Sequence, residues 1–124
     1  MPYRRDDALE AGDIVWVDFG PPFGHEQAGR RPALVVSPRA YNEQSSLIIV
    51  CPITRKVDTW PFKVEMRDDS RVQGAVIVDQ VRAIDRVARF TRKTARAGTD
   101  TLDRVYGMLA ALFGIPVSNS EIPR

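Results

Sequence analysis

The stretch Gly12-Asp13-Ile14-Val15-Trp16-Val17-Asp18-Phe19, followed by Glu26-Gln27-Ala28-Gly29-Arg30-Arg31-Pro32-Ala33-Leu34-Val35-Val36-Ser37, decides how this chain reads. The first run is apolar, rich in β-branched and aromatic residues, and stopped by Gly20-Pro21-Pro22, so it predicts a strand over 12–19. The second predicts a buried strand over 31–37, ended by Ser37-Pro38. Between them lies a polar loop, 20–30. His25, Glu26, Gln27, Arg30 and Arg31 fall within seven residues at its end. Strands on both sides would hold that cluster in place, an arrangement suited to binding a phosphate and acting on it.

Outward from this pair, the same pattern continues. Ala40–Glu43 predicts a short or helical turn, and the Ile/Val-rich run Leu47–Ile53 a central strand. Trp60–Met66 alternates apolar and charged residues as a half-exposed strand does. A polar turn region follows at 67–73, in which the pair Asp68-Asp69 reads as solvation. Gly74–Val81 is another apolar run, broken by Asp79-Gln80, and Arg82–Phe90 holds at least one more short strand or bend. Then the period changes. Leu102, Val105, Tyr106, Leu109, Leu112 and Phe113 recur at spacings of three and four, an amphipathic helix widened by Met108, Ala110 and Ala111. Asp100 can cap it, with Asp103 in the first turn, and Gly114 and Pro116 can end it. Gly107 inside it costs about 1 kcal/mol relative to Ala, which suggests close backbone packing. The sum is a mainly β protein, a small antiparallel barrel with a C-terminal helix. Residues 1–10 and 117–124 read as tails on one domain over 11–116.

Composition bounds the function. With 124 residues there is room for one core. No apolar run approaches the ~20 residues of a membrane span, and the charged N-terminus lacks a secretory signal's apolar core, so a cytoplasmic protein is expected. Cys51 and His25 are each the only residue of their type, which argues against a disulfide within the chain and against a Cys- or His-based metal centre. There is no Ser-His-Asp set, no Gly-rich phosphate loop and no carboxylate cluster of the magnesium-nuclease kind. The net charge of +2 says little, but Arg82, Arg86, Arg89, Arg92, Lys93 and Arg96 face only Asp85 between 82 and 96. That run suits a polyanion, or is simply a solvated face.

Two residues stand out for phosphate chemistry. Pro32 pushes Arg31 towards extended backbone, from which its guanidinium can offer a fork to phosphate oxygens. Thr54 ends the apolar strand in Cys51-Pro52-Ile53-Thr54-Arg55, where a hydroxyl can donate to a phosphate oxygen. If the two strands pair, both could face one pocket. A surface salt-bridge arginine and a turn threonine would look the same in sequence.

Taken together, the opening stretch, Val35-Val36-Ser37-Pro38, Pro52-Ile53-Thr54, Pro61-Phe62 and Asp79-Gln80-Val81-Arg82 resemble the MazF/PemK family of toxin endoribonucleases, from Gly12 to about Gly114. The resemblance implies a homodimer of SH3-like barrels related to the CcdB-type fold. It implies cleavage of single-stranded RNA, often mRNA, at a short sequence without a metal or other cofactor, which inhibits translation and growth. It implies an antitoxin of the MazE kind whose disordered acidic tail blocks the RNA groove. On this chain the family's catalytic arginine falls on Arg31, its threonine on Thr54 and its loop glutamate on Glu26, in a mobile lid. His25, Gln27, Arg30, Ser37, Arg55, Gln80 and Arg82 become candidates for substrate contact. Some relatives carry histidine where this chain has Arg30.

RNA brings its own nucleophile, the 2′-hydroxyl. Attack on the adjacent phosphorus gives a 2′,3′-cyclic phosphate and a 5′-hydroxyl. Arg31 and Thr54 suit stabilisation of the charge that builds up, and Glu26 or His25 is the candidate base. Phe23, Trp60 and Tyr41 are candidates for base stacking, with core packing as the other reading, and Trp16 reads as core. Two rivals remain: a non-catalytic toxin of this fold that binds a protein such as a topoisomerase, and an RNA-binding module whose face at Arg82–Arg96 holds RNA without cutting it.

Overall fold

The computed structural model describes residues 8–67 and 71–116; the pair Asp68-Asp69 and the stretch 117–124 lie outside the described residues. Seven strands form in chain order: β1 (Asp13–Asp18), β2 (Arg30–Val35), β3 (Leu47–Thr54), β4 (Lys63–Glu65), β5 (Ala75–Ile77), β6 (Arg82–Asp85) and β7 (Phe90–Arg96). Helix α1 (Arg39–Gln44) lies between β2 and β3, a single 3-10 turn (Val78–Gln80) follows β5, and α2 (Thr99–Leu112) closes the chain. All pairings are antiparallel, in the order β4-β5-β3-β2-β1-β7, with β6 also on β3. The mainly β class with a C-terminal helix is as the sequence predicts. No described helix is long and apolar enough to cross a membrane.

β3 is the hub because it is long enough to serve three neighbours. Its first half, Leu47–Val50, pairs with β6, and its end, Ile53–Thr54, pairs with β5. Its other edge pairs with β2. Alternation along the strands then sorts apolar residues into two cores. Val15, Val17, Ala33, Val35, Ile48, Val50 and Ile84 fill one, which Leu9 and Phe19 join. The strands β6-β3-β2-β1-β7 wrap this core, and the turn at 86–89 links the two ends of that path. Ile14, Leu34, Cys51, Ile53, Val76 and Val78 fill the other, and α2 covers it with Val105, Leu102, Tyr106 and Leu109. Burial of Leu9, 2% exposed, carries ordered packing into the stretch expected as a tail.

Several local expectations change. The strand expected over Trp60–Met66 shortens to Lys63–Glu65, because Lys63 N–H turns back to the Trp60 carbonyl. β7 was hidden by its charge. It forms as an edge strand on β1, where Lys93 and Arg96 reach the buried Asp13 carboxylate at 3.3 and 2.6 Å. Asp100 does not cap α2; the N-cap is Gly98, with no side-chain cap bond, and Asp100 sits in the first turn. At the other end Gly114 takes φ +68° while Ile115 N–H reaches the Ala110 carbonyl and Gly114 N–H that of Ala111, a Schellman stop. Gly107 is exposed and a Cβ there would meet nothing within 4 Å, so close packing is not its reason. Phe113, expected on the apolar face, is 66% exposed.

Candidate functional site

The β2–β3 register builds the site. Ala33 pairs with Pro52, Leu34 with Cys51 and Val35 with Val50. Continued by two residues, this register sets Arg31 across from Thr54, and paired residues project to the same face of a sheet. Arg31 is further fixed by its Nε–H, which donates to the Ala28 carbonyl at 2.8 Å. Thr54 is 8% exposed, and its Oγ1 accepts the Lys56 N–H at 3.1 Å, which leaves the hydroxyl hydrogen to donate elsewhere. Gly74 secures that strand end: with φ +131°, it lies so close to the Thr54 carbonyl that a Cβ would overlap it.

A cleft of about 200 Å³ opens on Pro52, two residues before Thr54, and its other walls include Glu26, Gln27, Asp79, Gln80 and Arg82. Phe19, Glu26 and Arg82 are shared with an adjoining cleft of about 270 Å³ that adds Pro21, Phe23 and Arg89. The loop stem is closed by Phe19 N–H to the Gly29 carbonyl and Gly29 N–H to the Gly20 carbonyl, at 2.9 and 2.8 Å. Arg82 lies over the Phe19 ring, 5.6 Å from its centroid, with Nη1 3.5 Å from the Phe19 carbonyl. Gln80 bonds the loop backbone at Gln27 and His25. The Arg82 guanidinium and the Glu26 carboxylate share this cleft, and the Thr54 hydroxyl ends the strand whose Pro52 forms one of its walls. Such a set can bind a phosphodiester and stabilise charge on it.

Not every candidate arrives there. Ser37 is 3% exposed, donates to Asn42 Oδ1 and accepts the Ile49 N–H, so it braces the fold and is not brought to the cleft. Arg30 starts β2 one residue before Arg31 and therefore projects to the opposite face. Arg55 and His25 are exposed on the rim side, Arg55 next to Thr54 and His25 next to Glu26. Phe23, Trp60 and Tyr41 are all exposed, 71%, 48% and 37%, which overturns the core reading for each. Trp16, read as core, is only partly buried. The basic run Arg82–Arg96 is not one free face: Arg86 is 6% exposed, Lys93 and Arg96 serve Asp13, and Arg89 Nη1 donates to the Asp18 carbonyl at 3.1 Å. Cys51 supplies no nucleophile, since burial and then the nearby Asp79 charge push its thiol up to about 12. Among the described residues no three of His, Cys, Asp and Glu gather as a metal would need.

A family model described as the PemK-like, MazF-like toxin of type II toxin–antitoxin systems matches residues 10–113. The chain belongs to this toxin family. Endoribonuclease toxin MazF of Escherichia coli (strain K12) is 35% identical over 105 residues, 85% of this chain and 94% of that protein. The crystal structure of MazF from Deinococcus radiodurans matches with TM-score 0.80 at 42% identity, covering 86% of this chain and 97% of that one. A MazE–MazF crystal structure from the same organism matches with TM-score 0.76 at 41% identity, covering 88% and 98%. In this MazF-like toxin two residues that line the clefts, Arg89 and Asp79, were named in the sequence only within a basic run and a family stretch, not as site candidates. Arg89 could be found only by its neighbours in space, because it reaches the cleft from the turn before β7. Asp79 accepts Trp60 Nε1–H at 3.3 Å, a contact across 19 residues.

Proposed function

We propose that this endoribonuclease toxin cuts single-stranded RNA, mRNA included, by attack of a ribose 2′-hydroxyl on the adjacent phosphorus, with Arg31, Thr54 and Glu26 as the reacting set. The observation that supports the reading is the β2–β3 register: continued by two residues it aligns Arg31 with Thr54, and its Pro52 lines the cleft that Glu26 also lines. Arg31 stays charged, since a guanidinium gives up its proton only above about pH 12. It clamps the non-bridging oxygens, and its charge is best matched when the phosphorus gains its fifth oxygen. Thr54 donates its hydroxyl hydrogen to the same group. Glu26 takes the 2′-hydroxyl proton, and the 5′-oxygen leaves with a proton from solvent. The products are a 2′,3′-cyclic phosphate and a 5′-hydroxyl, and no step calls for a metal.

His25, Gln27, Arg55 and Arg82 line the path of the strand, and exposed Phe23 and Trp60 offer faces on which splayed bases stack. The active species is a cytoplasmic homodimer. Its antitoxin is a small protein of the MazE kind, as in the MazE–MazF complex of Deinococcus radiodurans. The antitoxin's acidic tail would sit against Arg31, Arg55, Arg82 and Arg89, so high salt should weaken it.

The test is a long single-stranded RNA incubated with purified toxin in EDTA, with fragment ends mapped and Arg31→Ala run alongside. Discrete cuts that carry 2′,3′-cyclic phosphates, slowed about 10²–10³-fold in the variant, are expected. Cleavage of a fully 2′-deoxy substrate would overturn the mechanism. Intact RNA from folded, antitoxin-free protein would favour a toxin that acts by binding a protein.

A further inference from the structure

We infer that Gln80 is a positioning residue: its side-chain amide clamps the β1–β2 loop and so fixes Glu26, and it does not read RNA. Gln80 Oε1 accepts the Gln27 N–H at 2.8 Å, and Gln80 Nε2 donates to the His25 carbonyl at 3.3 Å. The two loop groups flank Glu26 on either side. An N–H and a carbonyl set this way need one acceptor and one donor on a single planar edge, which a carboxamide has and a carboxylate lacks. These bonds span 53 and 55 residues, so they are tertiary, not local to the loop. They take up one N–H and one oxygen lone pair of the amide, which removes the paired edge it would need for two parallel bonds to a base.

The clamp is anchored on the rigid side. Gln80 belongs to the 3-10 turn whose Val78 is fully buried in the core that α2 covers. The loop it holds is otherwise exposed from Pro21 to Glu26. Without the amide, the segment between the loop stem and Glu26 loses its one tie to the cleft's far wall among the side-chain hydrogen bonds of the described residues. A carboxylate displaced by about 1 Å from its reacting partner loses on the order of 10²-fold in rate.

The inference rests on the reading of this cleft as the RNA site, and the test separates the two. Amide exchange at Gln27 is measured in RNA-free protein for the natural chain, Gln80→Ala and Gln80→Glu, with thermal unfolding as a check on the fold. Steady-state cleavage and cut-site mapping follow on the same proteins. Gln80→Ala should exchange at Gln27 at least about tenfold faster, whereas Gln80→Glu keeps an acceptor for that N–H and loses only the bond to the His25 carbonyl. Both should lose kcat by about tenfold to a hundredfold, with KM within twofold and an unchanged set of cut sites. Gln80→Met, which keeps the volume, replaces Gln80→Ala if that variant fails to fold. Unchanged exchange in Gln80→Ala or its Met replacement, or faster exchange with unaltered kcat, would overturn the inference. So would a raised KM or relaxed cut-site preference, which would make Gln80 a reader of RNA. If no protein in the set cuts RNA, the functional reading fails, and the exchange at Gln27 still decides the clamp.

Discussion

At the scale of single residues, the site depends on the shape of a guanidinium as much as on its charge. Arg31 Nε–H is already committed to the Ala28 carbonyl at 2.8 Å, so the two terminal nitrogens face outward in a fixed plane. Lysine keeps the charge but neither the bond nor the fork. Arg31→Lys should therefore bind RNA within a few-fold of the natural protein while single-turnover cleavage falls by about 10²-fold or more; equal cleavage would mean that charge alone suffices. Cys51 gives a second residue-level prediction. Its thiol, pushed up to about 12 by burial and by Asp79, is not a thiolate near neutral pH. Iodoacetamide at pH 8 should leave the folded protein unlabelled and label it once denaturant is added. Rapid labelling of the native state would contradict the burial. The placement of Arg31 and Thr54 was legible in the sequence because both sit at strand ends, where alternation and proline fix direction. Ser37 was misread for the opposite reason. Its role is set by Asn42, a buried partner from α1, and by Ile49 from β3, and no local pattern carries either contact.

At the scale of elements, the segments with apolar periodicity were legible and those with polar faces were not. β1, β2, β3 and α2 follow from their patterns, whereas β7 reads as a bare run of charge until β1 and Asp13 are beside it. The β6–β7 connection has its own chemistry. Asp85 Oδ1 accepts the N–H groups of Ala88 and Val87 at 2.8 and 2.9 Å, and these bonds, Ala88 first, hold its carboxyl below the usual range. A depressed pKa means stability that is present above the unfolded value of about 3.9 and is lost as pH falls through the folded value. The gap in melting temperature between the natural protein and Asp85→Asn should thus shrink from pH 6 to pH 3. A constant gap would place the turn's stability elsewhere. Glycines at two elements should behave oppositely. Gly107→Ala on the open face of α2 should stabilise by up to about 1 kcal/mol in chemical denaturation. Gly74→Ala drives a Cβ against the Thr54 carbonyl, so it should cost on the order of 1–3 kcal/mol and slow cleavage as well.

At the scale of the whole molecule, the question is where the positive charge is spent. Sequence alone makes 82–96 a basic face, but Lys93 and Arg96 turn to Asp13, a carboxylate with 0% exposure that also accepts the Glu10 N–H at 2.9 Å. These contacts sit at the start of β1, and the cleft residues gather at its far end, so the two cation groups do different jobs. One ties the N-terminal segment and β7 to β1; the other lines the proposed RNA site. Asp13→Asn tests the division. It raises the formal net charge of +2 by one, releases Lys93 and leaves Arg96 with Glu10 Oε1 at 2.9 Å. The buried carboxylate loses its charge-assisted bonds, which argues for a loss of about 1–3 kcal/mol, discounted because Arg96 is half exposed. The freed Lys93 should hold RNA without choosing among sequences, so binding should fall more steeply with salt, by a slope of about one if it neutralises one more phosphate. The cut sites should not change, because nothing at the cleft has moved. Urea unfolding, a salt titration of RNA binding and fragment mapping on the one variant check all three. A variant of unchanged stability would show that Asp13 is not what orders β7. Altered cut sites would show that the basic strip, rather than the cleft alone, selects the RNA.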